Sequence, residues 1–156
     1  MKPLYIFDLD GTLALVEHRL HYIQGHKKDW PAFFAACIDD PPVQSAITTL
    51  HCLRRGGGEI WVWTGRSDEV RSETLSWLVR HSIFHPYWNP FEAPEQLLMC
   101  QAGDHRSDVS IKREWLARLD PPELVRLTAV FEDRASVVQM WRDMGVPCFQ
   151  AASGEF

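Results

Sequence analysis

The sequence predicts an α/β fold with three layers, helices covering both faces of a five-stranded parallel sheet. Three observations point there. An apolar run begins almost at the N-terminus and ends in two carboxylates, Asp8 and Asp10. Four more short apolar runs follow, each separated from the next by a stretch with helical spacing, and such alternation implies a parallel sheet. The chain has 156 residues, 46% of them hydrophobic, enough to fill one core and not two. The expected organisation is therefore a single domain over 1–156, with a small insert at 15–42.

In chain order, the predicted strands are Leu4–Asp8, Glu59–Trp63, Gln96–Cys100, Leu127–Phe131 and Val146–Phe149. Val43, Ala46, Ile47, Leu50 and Leu53 share a helical face, and Gly56-Gly57-Gly58 stops that helix. Val70, Thr74, Trp77 and Leu78 mark another, with Asp68 and Glu69 in its first turn, where the helix dipole favours acids. A third spans about Asp108 to Leu119, ahead of Pro121-Pro122. A fourth follows Arg134, carries Val137, Val138, Trp141 and Met144, and ends at Gly145. The segment 15–42 departs from the alternation. It holds His18, His21, His26, Lys27 and Lys28, then a short helix near Pro31–Ile38 with Trp30, Phe33 and Phe34 beside it. Leaving the first strand directly, it is placed to overhang the strand ends, as a lid or as an ordinary crossover.

Polar groups cluster just past the strand ends, where open α/β sheets bind ligands. Asp8 and Asp10 follow the first strand, Thr64, Gly65 and Arg66 the second, and Glu132, Asp133 and Arg134 the fourth. Alternate strand residues point the same way, so Asp8 and Asp10 project together if extended geometry persists past Phe7. Two adjacent carboxylates resist joint ionisation, and a divalent cation removes that conflict. Val109, Lys112, Leu116 and Leu119 fall on one helical face, so Lys112 interrupts an apolar stripe. A buried ammonium requires an anion, either a phosphate or the acidic cluster.

Charge narrows the function classes. With 21 acidic and 16 basic residues the formal charge is -5, which excludes a protein that coats nucleic acid through a broad basic surface. Recognition of one terminal phosphate needs only a few local cations. The four cysteines form no CxxC pair and are expected as reduced core thiols. The first apolar run is too short for a signal peptide and no run approaches a membrane span, so a soluble, cytoplasmic protein is expected.

Asp8-Leu-Asp10-Gly-Thr, Thr64-Gly65, Lys112 and Glu132-Asp133, in this order, resemble the four motifs of the haloacid dehalogenase (HAD) superfamily of phosphotransferases, a Rossmann-like fold. The likeness covers nearly the whole chain. A narrower one joins Asp8-Leu-Asp10-Gly-Thr-Leu-Ala, Arg19, Thr64-Gly65-Arg66, Arg106-Ser-Asp108 before Lys112, and the ending from Val137 to Phe156. These are similar to the 3′-phosphatase domain of bacteriophage polynucleotide kinase, and the chain stops where that domain stops. No GxxxxGK[ST] phosphate loop occurs, so 5′-kinase activity is not expected. Glu132 stands where the phage pattern has Asp, which keeps a role beside the metal but alters its geometry.

The resemblance and the chemistry together imply roles. Asp8 is the expected nucleophile, forming an aspartyl-phosphate. Asp10 is the expected general acid and then base. Mg2+ is expected on Asp8, the backbone carbonyl of Asp10, and Asp133. Thr64, the Gly65 amide and Lys112 would hold phosphoryl oxygens. Arg19 and Arg66 suit a phosphate or diester, since guanidinium forks match such oxygens. Asp108 is expected either to orient Lys112 or an arginine, or to cap the following helix. The expected substrates are 3′-phosphorylated DNA or RNA ends or nucleotides. The alternatives are a phosphatase of free nucleotides or small metabolites, and a non-catalytic module that binds phosphate ends.

Overall fold

The computed structural model describes every residue except Pro90, Glu155 and Phe156, so the last two residues of the C-terminal similarity lie outside it. Strands β1 (Leu4–Phe7), β2 (Glu59–Ser67), β3 (Leu97–Cys100), β4 (Leu127–Arg134) and β5 (Cys148–Gly154) form one sheet in the order β3-β2-β1-β4-β5. Every pairing is parallel. The helices are α1 (Trp30–Ala35), α2 (Gln44–Arg55), α3 (Arg71–Arg80), α4 (Asp108–Ala117), α5 (Pro121–Arg126) and α6 (Ala135–Asp143).

Period-two alternation in the strands divides the core into two layers. Phe7, Ile60 and Val62 face one side, where they pack with Leu50 of α2 and Trp77 and Leu78 of α3. Leu4, Ile6, Trp61 and Trp63 face the other, against Leu116 of α4 and Val137, Val138 and Trp141 of α6. A strand buried on both faces must be apolar at every position, which is why β1 reads as a continuous run rather than an alternating one. Tryptophan is mainly a core residue: Trp61, Trp63, Trp77 and Trp141 are buried, and the indole of Trp77 donates to the Asp40 carbonyl at 2.8 Å.

The chain winds from β1 outward through β2 to β3, then crosses back to lay β4 on the other side of β1. That reversal opens a crevice at the carboxyl ends of β1 and β4, the usual ligand position in such sheets. Three expected strand ends move by three residues or more, and all three matter to the site. β2 continues through Thr64–Ser67 instead of ending at Trp63, β4 continues through Arg134, and β5 runs on to Gly154 instead of ending at Phe149. In each case the ladder breaks register on the way: Thr64 pairs with Met99 but Ser67 with Cys100, and Glu132 pairs with Gln150 but Arg134 with Gly154. Register breaks of this kind re-aim side chains. Here they turn Gly65, Arg66 and Asp133 toward the crevice while the strands remain anchored.

The segment 15–42 forms 3-10 turns at Glu17–Tyr22 and Ala36–Asp39 around the short helix α1. Asp29 caps α1 by accepting from the Ala32 amide at 3.0 Å. Phe33 and Cys37 are buried, so the segment has a small core of its own that joins the main body. Of the four free cysteines three are buried as expected, whereas Cys52 is exposed.

Candidate active site

A cavity of about 490 Å³ lies over the crevice, lined on its floor by Asp8, Asp10, Thr64, Gly65, Arg66, Asp108, Glu132, Asp133 and Arg134. Residues widely separated in sequence meet here because each leaves a strand end or the first turns of α4. The Asp8 amide donates to the Phe131 carbonyl at 2.9 Å, which ties the end of β1 to β4.

One half of the floor is acidic. Lys112, buried on α4, donates to Asp8 Oδ1 at 2.5 Å and to Glu132 Oε2 at 2.7 Å. The ammonium that interrupts the apolar stripe has thus found carboxylates. Burial alone would favour its neutral form, but Asp8 and Glu132 hold its pKa well above the ordinary lysine value. The Asp8 carboxyl is pushed up, first by burial and then by Glu132. Asp133 is pushed up to about 7, by burial and by the same neighbour. Glu132 is fully engaged: its second oxygen also accepts from the backbone amides of Asp133 and Arg134.

Asp133 is held almost without side-chain partners. Oδ1 accepts from Thr12 at 3.3 Å, while Oδ2 is buried with no hydrogen-bond partner. A Cβ at Gly11, where φ is +85°, would sit 2.2 Å from Oδ2, and one at Gly154 would sit 2.0 Å from it. Two backbones therefore approach this carboxylate as closely as glycine allows. Oxygens of Asp8, Glu132 and Asp133 lie within 4.8 Å of one another. Three buried carboxylates, one ammonium and an orphaned oxygen fit a hard divalent cation with oxygen ligands.

The other half is an ion cluster with matched charge. Arg19 and Arg66 both donate to Asp10 Oδ1, Arg19 at 2.9 Å and Arg66 in a closer contact. Both also bond Asp40, with Arg19 Nε at 2.7 Å from Oδ1 and Arg66 Nη2 at 2.8 Å from Oδ2. His18 Nε2 shares Asp40 Oδ1 at 2.7 Å, and the Arg19 guanidinium lies 4.2 Å above the Phe33 ring. Burial would raise the pKa of Asp10, but Arg66 and Arg19 outweigh it and hold the carboxyl below its ordinary value. Arg66 borders the cavity, and its Nε is buried without a partner. Arg19 does not line the cavity: it lies wholly buried behind Asp10, bonded to Asp10 and Asp40.

Asp108 does not cap α4. Ser107 does, its hydroxyl accepting from the Ser110 amide at 3.3 Å. The Asp108 carboxylate instead takes Arg134 Nη1 at 3.3 Å and packs onto Gly65, where a Cβ would fall 1.9 Å from Asp108 Oδ1. The largest omission from the sequence reading is Asp40, which joins both arginines. Its one visible signal is an acid just before Pro41-Pro42, at the end of the insert.

The model of the family described as "Polynucleotide kinase PNKP phosphatase domain" matches residues 2–156. The chain belongs to this family. It is an HAD-type PNKP phosphatase domain, and its five-stranded, all-parallel sheet is the HAD-like fold. Among solved structures it is similar to a chain of the Pnkp1/Rnl/Hen1 RNA repair complex, with 27% identity and a TM-score of 0.78. The match covers 99% of this chain and 44% of that one, so the chain spans less than half of that relative's length. The class C acid phosphatase from Bacillus anthracis shares the fold, with a TM-score of 0.63 and 16% identity over 98% of this chain and 68% of that one. Among the described residues no helix is long and apolar enough to cross a membrane.

Proposed function

We propose that the chain is a magnesium-dependent phosphomonoesterase that removes 3′-phosphates from DNA or RNA ends. The observation that carries this reading is the buried meeting of Asp8 with Lys112, Glu132 and Asp133 at the mouth of the β1–β4 crevice. Asp8 is the nucleophile: it attacks phosphorus in line, forms an aspartyl-phosphate and expels the 3′ oxygen of the sugar. Lys112 aims one Asp8 oxygen and keeps a fixed positive charge beside the transferring group. Thr64 and the Gly65 amide border the space that phosphoryl oxygens would occupy.

Asp8, Asp133 and the Asp10 main-chain carbonyl would hold magnesium, since Glu132 is committed to Lys112 and two backbone amides. When bound, the ion supplies charge neutralisation for the phosphoryl oxygens and for Asp8. Asp10 moves the protons. An arriving phosphate dianion competes for Arg66 and adds negative charge, and both effects raise the affinity of Asp10 for a proton. The protonated acid then gives that proton to the leaving alkoxide. Once the alcohol departs, the arginines restore the ionised form, which takes a proton from the water that hydrolyses the acyl phosphate. Arg19 and Asp40 act behind Asp10 as positioning residues.

A substrate panel tests this reading. Phosphate release from a 3′-phosphorylated oligonucleotide and from thymidine 3′-phosphate should exceed release from thymidine 5′-phosphate, and only with magnesium. Equal or better turnover of the 5′-monophosphate would instead indicate a phosphatase of free nucleotides or small metabolites. Equal, background-level release from an aryl phosphate by the wild type and Asp8→Asn would indicate a module that only binds phosphate ends.

A further inference from the structure

The cavity has a second wall, built from the insert, that the chemistry above leaves unused. Leu20, Ile23, Gln24, Lys28, Trp30 and Phe34 face the acidic floor across it. Trp30 stands out among them. It is 44% exposed, whereas the four core tryptophans are buried, so its ring is not consumed by packing. The ring is nevertheless held in place: it lies near-parallel to Phe34 at 5.9 Å, with an interplanar angle of 28°, and edge-on to Phe33 at 5.7 Å. It also borders a neighbouring cavity of about 440 Å³, whose rim carries Gln101, Asp104 and His105. Trp30, Phe34 and Gly65 border both cavities, so the two adjoin beside the residue expected at the phosphoryl oxygens.

Lys28 Nζ lies 5.6 Å from the Trp30 ring centre and also lines the first cavity. The wall therefore offers a flat π-face and a flexible cation together, opposite a floor that takes a phosphate. Those are the two recognition elements for single-stranded nucleic acid: base stacking on an aromatic ring, and a positive charge near the backbone. With a net charge of -5 the chain is not expected to hold a polymer end through a broad basic surface, so local contacts of this kind matter more.

We propose that Trp30 is the stacking platform for the terminal nucleobase, and that Lys28, displaced from the ring by that base, pairs with the first internucleotide phosphate. This assignment rests on the 3′-phosphatase reading and names the subsite that would make that activity selective for nucleic acid. Stacking reads a π-face, not an edge, so the subsite accepts every base and favours purines by strength of stacking alone. Asp29, which caps α1, is not part of it, and an exposed ring can be replaced without opening the core.

The test compares two oligonucleotides that differ at one position, with the 3′-phosphate carried either by an adenosine or by an abasic tetrahydrofuran unit. For the wild type, kcat/KM should be about tenfold higher with the base present, the effect expected of one stacked base. Trp30→Ala should erase that preference by lowering only the activity on the adenosine end, and Trp30→Phe should restore most of it. Lys28→Ala should weaken both substrates alike and flatten the dependence of KM on salt. Equal wild-type turnover of both substrates would overturn the stacking assignment while leaving the phosphatase reading intact. So would an equal loss on both with Trp30→Ala, which marks a merely structural ring. No turnover of either substrate by the wild type would remove the phosphatase reading, and the subsite with it.

Discussion

The two halves of the floor use the same kinds of residue to opposite effect. Around Asp10, two buried arginines meet two aspartates, the half-buried Asp10 and the buried Asp40, and formal charge cancels. Around Asp8, a single ammonium faces three carboxylates, and one oxygen of Asp133 is left without a partner. Buried charge is tolerated only when paired and hydrogen-bonded. The balanced half therefore behaves as a fixed scaffold that sets the position and protonation of Asp10. The unbalanced half has the surplus charge and the unpartnered oxygen that the proposed magnesium would take up. The difference separates what the fold must hold still from what it must leave available.

The comparison breaks first at Asp40. Asp40→Ala removes the carboxylate that both arginines share and leaves two buried guanidinium groups on one acid. Loss of one partner from a buried ion cluster costs about 3–5 kcal/mol. Chemical denaturation should register that loss, together with a fall in kcat. A variant as stable as the wild type would show that the cluster is not a scaffold. The next largest effect is expected at Gly65→Ala, whose Cβ would land 1.9 Å from Asp108 Oδ1. The acid must move, taking its contact with Arg134 along, and displacement of this order near a reacting centre costs about 10²-fold in kcat/KM. Unchanged kinetics would mean that the Gly65–Asp108 contact is incidental.

The smallest effect concerns pH, and it distinguishes the halves without mutation. In the metal-free protein Asp133 holds its proton up to about 7, whereas in an unfolded chain it releases it near the ordinary value of about 4. The native state thus binds that proton more tightly. Its contribution to stability is present at low pH and is lost as pH rises through about 7. Melting temperature in EDTA should accordingly fall between pH 4 and 7, and magnesium should raise it most above pH 7. Asp10 supplies the opposite sign, because its carboxyl is held below the ordinary value and favours the native state once ionised. A magnesium shift of the same size at pH 5 and pH 8 would contradict the assignment of the surplus charge.

How much of this was legible in the sequence follows from which signals are local. The apolar run into Asp8 and the alternation of runs gave the sheet and the placement of the acids at its carboxyl edge. Lys112 was legible because burial leaves a periodic trace, here Val109, Leu116 and Leu119 around a lysine. Asp40 was not, since an aspartate before two prolines looks like a turn, and its partners Arg19 and Arg66 lie 21 and 26 residues away. Arg19 shows the complementary limit of sequence: its position is conspicuous, but charge alone does not reveal that the guanidinium is wholly buried. The continuation of β2 and β4 through their motifs was hidden for a further reason. Register breaks depend on the neighbouring strand, which no local pattern encodes.

Asp8 is the group proposed to take the phosphoryl. Acid-quenching the enzyme with magnesium and a 3′-phosphorylated oligonucleotide, followed by peptide mass analysis, tests it most directly. A phosphoryl group should be found on the peptide carrying Asp8, and be absent both with EDTA and in Asp8→Asn, which should lose at least about 10³-fold in turnover. Steady phosphate release by Asp8→Asn at the wild-type rate, with no phosphoryl group on that peptide in the wild type, would contradict it.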